Sequence, residues 1–137
     1  MSSLKQLKSE EKSLADQQQV IQDLNTLVKD IERSEKTLSG LKRELEATNA
    51  KYQGPRTTRE DIAYLTGLLD CAKKKLAWEK QIASLQKRTP ALMETMTTLM
   101  QDTKNPPSPQ TCDQMHQALR LIQSAMERLE GAERSGS

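Results

Sequence analysis

Apolar residues recur every seven positions along the first fifty residues, and this repeat constrains the fold more than any other feature. The repeating positions form two interleaved sets: Leu7, Leu14, Ile21 and Val28, and then Leu24, Ile31, Leu38, Leu45 and Tyr52. The sets stand three and four residues apart, which is the spacing of a coiled-coil seam. Proline is absent here, and Gly40 is the only glycine. The pattern predicts one amphipathic helix over residues 4–52.

A turn is predicted at residues 53–57, because each residue type there favours a reversal of the chain. Gly54 can end a helix with a positive φ, and Pro55 cannot continue one. Thr57 or Thr58 can cap the next helix, since an acidic residue stands three positions after each of them.

The second helix is predicted over residues 58–88 and then onwards to residue 103. Its apolar stripe consists of Ile62, Leu65, Leu69, Ala72, Leu76, Ile82, Ala83 and Leu85. Pro90 interrupts the pattern, and an interior proline costs a helix about 3 kcal/mol or more. Thr89 followed by Pro90 also suits an N-cap and a first helical position. We therefore expect either a kink or a restart at residues 89–90.

A proline-rich loop at residues 105–109 separates the second helix from a third, which is predicted over residues 111–130. Ser108 or Thr111 can cap this last helix. Its apolar face consists of Cys112, Met115, Leu119, Ile122, Met126 and Leu129. Residues 131–137 are expected to fray.

The turn fixes which residues of the first two helices face each other. In an antiparallel hairpin closed near Pro55, the numbers of facing residues add to about 114. Leu45 then faces Leu69 and Leu38 faces Leu76, so apolar residues meet along most of the length. The predicted fold is all-α: a long antiparallel helical hairpin with a shorter third helix packed at its open end.

At that open end we expect a three-helix bundle over residues 7–30, 85–103 and 111–130, within a single elongated helical module of residues 1–137. Most of the methionines fall in this zone: Met93, Met96, Met100, Met115 and Met126. Methionine fills irregular gaps in a core and also lines adaptable grooves. We favour core filling here.

The composition excludes several classes of protein. Aromatic residues make up only 2% of the chain, so a thick globular core is not expected. The 21 basic and 19 acidic residues nearly balance, which argues against a nucleic-acid binder. No apolar run is long enough to span a membrane or to act as a secretory signal. With only two cysteines, we expect an intracellular protein, either cytoplasmic (with cytoskeletal association one option) or nuclear.

The sequence contains few of the residues and motifs that catalysis requires, so we predict no enzyme, no cofactor and no metal site. His116 is the only histidine, and neither a glycine-rich phosphate loop nor a nucleophile elbow occurs. Cys112 and His116 stand four residues apart on one helical face, but Cys71 would have to join them from another helix. A buried thiol beside a partly exposed imidazole is the default interpretation of the pair.

Basic residues concentrate in the second helix and form a candidate basic patch: Lys73, Lys74, Lys75, Lys80, Lys87 and Arg88. Such a patch can bind an acidic protein surface, nucleic acid or anionic lipid. A solvated face beside an apolar seam explains the same pattern.

Five residues flank the predicted seams and are candidates for contact with other subunits: Leu27, Leu41, Leu68, Trp78 and Leu121. Trp78 is either an exposed anchor of the kind that interfaces favour or a cover over the seam. Thr89 and Ser108, each followed by proline, are candidate phosphorylation sites at predicted helix starts, where phosphate complements the helix dipole.

The predicted function is that of a non-catalytic coiled-coil subunit or adaptor, which assembles with other helical or coiled-coil proteins into an intracellular hetero-oligomer. Microtubule, centrosome and kinetochore assemblies use parts of this kind. One alternative is binding of nucleic acid or an anionic surface through the basic second helix. The other is a homodimeric coiled-coil rod without a hairpin.

Overall fold

The computed structural model describes residues 2–135, and over that range the chain folds into three α-helices with no strand. Helix α1 spans Ser2–Lys51, α2 spans Thr58–Met100 and α3 spans Pro109–Ser135. Helices α1 and α2 pack against each other as an antiparallel hairpin, and α3 packs mainly against α1. The predicted all-α fold is confirmed.

The helix boundaries match the predicted ones within two residues at the three helix starts and differ more at the ends of α2 and α3. Helix α2 continues through Pro90 without a restart and ends at Met100, before the predicted residue 103. The hydroxyl of Thr89 donates a hydrogen bond to the Leu85 carbonyl at 2.9 Å, so Thr89 is not an N-cap. Helix α3 extends to Ser135, through most of the segment expected to fray. Residues 136–137 of that segment lie outside the described residues.

The chain divides into two compact units. The three-helix unit contains the described residues up to Ile31 and those from Leu85 onwards. The two-helix unit is Glu32–Ser84, which comprises the second half of α1, the turn and the first part of α2.

The three-helix unit has the larger core. Each of its helices contributes buried apolar side chains: Val20, Leu24, Leu27 and Ile31 from α1, Leu85 and Met96 from α2, and Met115, Ala118, Ile122, Ala125, Met126 and Leu129 from α3. The steps between these residues are mostly three or four, so each helix buries one face. Three of the predicted methionines are thus core residues.

The loop after α2 is fixed to α1 by polar contacts. The Asp102 carboxylate accepts hydrogen bonds from the backbone N–H groups of Lys104 and Asn105, at 2.9 and 3.2 Å. The buried Gln17 amide donates to the Asn105 carbonyl at 3.4 Å, and the Asn105 amide donates to the Ser9 hydroxyl at 3.1 Å. These bonds position the start of α3 within this unit.

Ser108 caps α3, which is one of the two predicted alternatives. Its hydroxyl oxygen accepts the Thr111 N–H at 3.1 Å, and its carbonyl accepts the Cys112 N–H at 2.9 Å. Pro109 is the first helical residue, where the missing N–H costs nothing.

The turn of the two-helix unit follows the predicted chemistry. Gly54 has a φ of +83°, which only glycine adopts readily. Thr57 and Glu60 form a reciprocal capping box, in which each side chain accepts the other's backbone N–H at 3.2 Å. Arg56 donates to the Tyr52 carbonyl at 2.8 Å and so satisfies a carbonyl at the end of α1.

The register of the hairpin is also confirmed. Tyr64 donates to Asn49 at 2.6 Å, and the indole N–H of Trp78 donates to the Ser34 carbonyl at 2.8 Å. These residue numbers add to 113 and 112, close to the predicted 114. The turn therefore sets the longitudinal alignment of α1 and α2.

The face that α2 presents to α1 was predicted wrongly. We expected Ile62, Leu65, Leu69, Ala72 and Leu76 in the seam, but all five are exposed. The seam instead follows a parallel set of positions: Tyr64, Leu68, Cys71, Lys75, Trp78 and Ile82, which are buried or half-buried.

The observed seam is favoured by what its residues supply. Trp78 alone buries a large aromatic surface, and its N–H finds a backbone acceptor in the seam. Gly67 allows α2 to approach α1 closely, since a Cβ atom at that position would lie 3.1 Å from Cγ2 of Thr48.

Candidate functional site

The displaced residues form an exposed apolar stripe along α2, which we call the apolar stripe and define as Ile62, Leu65, Leu69, Ala72 and Leu76. The four large side chains are 61%, 61%, 56% and 54% exposed, respectively. Their steps of three and four residues place them on one side of the helix. At about 1.5 Å per residue, the stripe is about 21 Å long.

The apolar stripe is uncovered because it lies beside the seam. Leu65, Leu69 and Leu76 each follow a seam residue by one position, and one position rotates the side chain by about 100° around a helix. Within the two-helix unit, α1 covers the seam face of α2 only. Leu45 on α1 is also 40% exposed.

A row of four positions, three of them basic, borders the apolar stripe on the side away from the seam. Arg59, Thr66, Lys73 and Lys80 recur every seven residues, and all four are exposed. Within residues 2–135, neither Lys73 nor Lys80 forms an ion pair. We call Arg59, Lys73 and Lys80 the basic row.

The other predicted basic residues of the two-helix unit have different surroundings. Lys74 forms ion pairs with Glu44 at 2.8 Å and with Asp70 at 3.2 Å. The hydrogen bonds that Lys74 donates, first to Glu44 and then to Asp70, raise the pKa of Lys74 above its usual value. Lys75 is a half-buried seam residue.

Two members of the predicted patch belong to the three-helix unit. Arg88 pairs with Asp30 at 2.8 Å, while Lys87 is exposed. Within the two-helix unit, Lys73 and Lys80 are the members of the predicted patch that border the apolar stripe.

The predicted contact residues are mostly inside the protein. Leu27 is completely buried and Trp78 is 1% exposed, so neither can contact another subunit from the surface. Leu27 is a core residue of the three-helix unit, and Trp78 takes the seam-covering role that was its alternative. Leu41 and Leu68 are half-buried in the two-helix unit.

Leu121 is the one predicted contact residue that is exposed rather than buried or half-buried, at 58%. It borders a shallow groove of about 230 Å³ in the three-helix unit, together with Ile21, Asn25 and Gln114. Apart from Ile21 and Leu121, the large side chains that line this groove are amides, so its apolar surface is small.

The two candidate phosphorylation sites differ in accessibility. Thr89 is half-buried in the interior of α2, with its hydroxyl bonded to the preceding turn. Ser108 is exposed at the N-cap of α3.

The described residues hold no group of three or more histidine, cysteine or acidic side chains placed to bind a metal ion. Cys71 is buried in the two-helix unit, and Cys112 is half-buried in the three-helix unit, with its Sγ 3.9 Å from the Pro107 carbonyl. None of the helices between residues 2 and 135 is long and apolar enough to cross a membrane.

Comparison of the chain with protein families, characterised proteins and solved structures finds no match. The candidate site therefore depends on the chain's own geometry.

The apolar stripe was visible in the sequence, but it was assigned to the hairpin seam. The signal that separates the two faces is Trp78. This residue lies off the predicted stripe and on a second row with Tyr64, Cys71 and Ile82. Two apolar rows on one helix indicate two faces to be covered, and α1 can cover only one of them.

Proposed function

We propose that this protein is a non-catalytic helical adaptor, and that the apolar stripe of α2 is a docking face for a helix of another protein. The observation that supports this proposal is the exposure of four large aliphatic side chains in one row at helix-packing spacing. Docking then completes in the two-helix unit the kind of packing that α3 provides in the three-helix unit.

The arrangement of the exposed residues matters more than their number. Single exposed leucines are normal on protein surfaces, whereas a contiguous apolar patch marks an interaction site. Ile62, Leu65, Leu69 and Leu76 are contiguous. Burial of a leucine or isoleucine side chain contributes about 1.5–3 kcal/mol, so four of them can sustain specific binding.

The alternative of a homodimeric rod requires α1 to pair between chains. In the structure, α1 pairs with α2 of the same chain through the Trp78–Ser34 and Tyr64–Asn49 hydrogen bonds. Because α1 is already paired within the chain, a hairpin with one uncovered face supports an adaptor better than it supports such a rod.

A defined peptide tests the proposal. The probe is a fluorescent helical peptide of about 21 residues, with leucine and isoleucine at the a and d positions of three heptads and glutamine at the flanking positions. We expect it to bind the full chain. The double variant Leu65→Ser/Leu69→Ser should weaken binding at least about tenfold, because the centre of the stripe becomes polar.

The matched control is Leu14→Ser/Leu121→Ser, because these leucines of the three-helix unit are 57% and 58% exposed, close to the values in the stripe. This variant should bind the peptide as the wild type does. Equal losses in both variants would show non-specific capture by exposed leucines, and absence of binding to the wild type would contradict the proposal.

A further inference from the structure

The basic row gives the apolar stripe an electrostatic polarity. On the side away from α1, residues 59, 66, 73 and 80 are arginine, threonine, lysine and lysine, with no acidic residue among them. A helix docked on the stripe has one flank beside this row. By helical spacing, the opposite flank is the one toward α1, whose exposed residues on that side include Lys42, Asn49 and Glu46, with mixed charges.

One exposed position of α2 lies beside α3 in the three-helix unit, where the Gln86 side chain donates to the Glu130 carboxylate at 3.5 Å. The same heptad position carries Leu65, Ala72 and Glu79 in the two-helix unit. There the position is uncovered, apolar at Leu65 and Ala72 and acidic at Glu79.

A second copy of this chain is a poor occupant of the stripe. Two stripes packed antiparallel about Leu69 would bring Arg59 of one copy beside Lys80 of the other, since these residues lie ten and eleven positions from Leu69. Like charges so placed are destabilising. A different helix with acidic flanking residues avoids this repulsion.

Building on the proposed function, we infer that the occupant of the apolar stripe is an amphipathic helix with a row of acidic residues along the flank that meets Lys73 and Lys80. The apolar residues of that helix supply affinity, and its acidic row selects the partner and its direction.

Three peptides test this inference. They share one apolar a/d stripe and carry glutamate, glutamine or lysine at the flanking positions. Against the full-length wild type at low salt, we expect the glutamate peptide to bind about tenfold more tightly than the lysine peptide, with the glutamine peptide between them. The preference should shrink as salt is added, because the charges are exposed.

A charge reversal with a matched control locates the effect. Lys73→Glu/Lys80→Glu should invert the order, so that the lysine peptide binds best. Lys36→Glu/Arg43→Glu changes the net charge equally at exposed positions on the outer face of α1, and it should leave the order unchanged. Far-ultraviolet circular dichroism checks that both variants keep their helices.

The outcomes separate this inference from the proposed function. Equal affinities for the three peptides, lost together in Leu65→Ser/Leu69→Ser, would overturn the acidic partner and leave the docking face standing. No binding of any peptide would overturn both. An order that persists in Lys73→Glu/Lys80→Glu would also overturn the inference.

Two further measurements test the other possible occupants of this surface, a second copy of the chain and nucleic acid. Sedimentation of the chain alone showing a dimer that Leu69→Ser dissociates would make a second copy the occupant and overturn the inference. A short nucleic-acid duplex serves as the last probe. If it binds through Lys73 and Lys80 regardless of the leucines, and displaces the glutamate peptide, the basic row serves nucleic acid and the inference fails.

Discussion

The two units solve the same packing problem with different numbers of helices. In the three-helix unit, α3 covers the faces that α1 and α2 leave open, and twelve apolar side chains are buried there. In the two-helix unit, the buried apolar residues are Leu38, Cys71, Trp78 and Ile82. A helix with two apolar rows needs two neighbours to bury both, and the two-helix unit supplies one.

The largest predicted effect concerns Trp78, which is the largest fully buried side chain of the two-helix unit. Trp78→Ala should destabilise the two-helix unit by about 3–5 kcal/mol, because it leaves a cavity and removes the hydrogen bond to Ser34. Hydrogen exchange should accelerate in residues 32–84 far more than in the three-helix unit. Equal acceleration in both units would show that they unfold as one body.

A matched pair of leucine truncations tests the comparison directly. Leu24→Ala, in the buried core of the three-helix unit, should cost about 2–5 kcal/mol of unfolding free energy. Leu69→Ala, in the apolar stripe, should change it by about 0.5 kcal/mol or less. Urea denaturation of the two variants measures the difference. A large cost at Leu69 would mean that the stripe is covered within the protein in solution.

A smaller effect is expected at the turn. Thr57→Ala removes one half of the capping box and should cost about 1 kcal/mol, while Thr57→Ser, which retains the hydroxyl, should cost much less. Thermal unfolding measures both. If the alanine and serine variants melted alike, the cap would contribute little to the hairpin.

The smallest effect is the pH dependence due to Lys74. Its pKa is raised in the folded state by Glu44 and Asp70, so its contribution is fully present below the unfolded pKa and is lost as pH rises through the folded value. The difference in unfolding free energy between Lys74→Gln and the wild type should therefore stay constant from about pH 8 up to the unfolded lysine pKa of about 10.4, and it should narrow only above that pH. A difference that already narrows below about pH 10, or one that does not narrow at higher pH, would contradict the ion pairs of Lys74.

Residues close together in the sequence determine much of the fold. Gly54 and Thr57 set the turn, the turn set the register, and Ser108 set the start of α3. These features depend on residues close in sequence, so the sequence alone predicted the turn and narrowed the caps to Thr57 or Thr58 and to Ser108 or Thr111.

The rotation of α2 about its own axis could not be predicted in the same way. The number of leucines favoured the stripe of Leu65 and Leu69 as the seam, whereas the structure places Trp78 and Tyr64 toward α1. Which row of α2 faces α1 depends on the close approach of Gly67 to Thr48 and on the hydrogen bond from the Trp78 indole to the Ser34 carbonyl. These contacts exist only once the helices have packed. The position of the candidate site depends on which row of α2 faces α1.

The central claim is that the apolar stripe receives a helix, and methyl NMR of the full chain labelled at isoleucine and leucine tests it most directly. On addition of the glutamate-flanked peptide, the methyl signals of Ile62, Leu65, Leu69 and Leu76 should shift together, while those of Leu14 and Leu121 stay in place. Shifts confined to Leu14 and Leu121, or no shift at any of these methyl groups, would contradict the account.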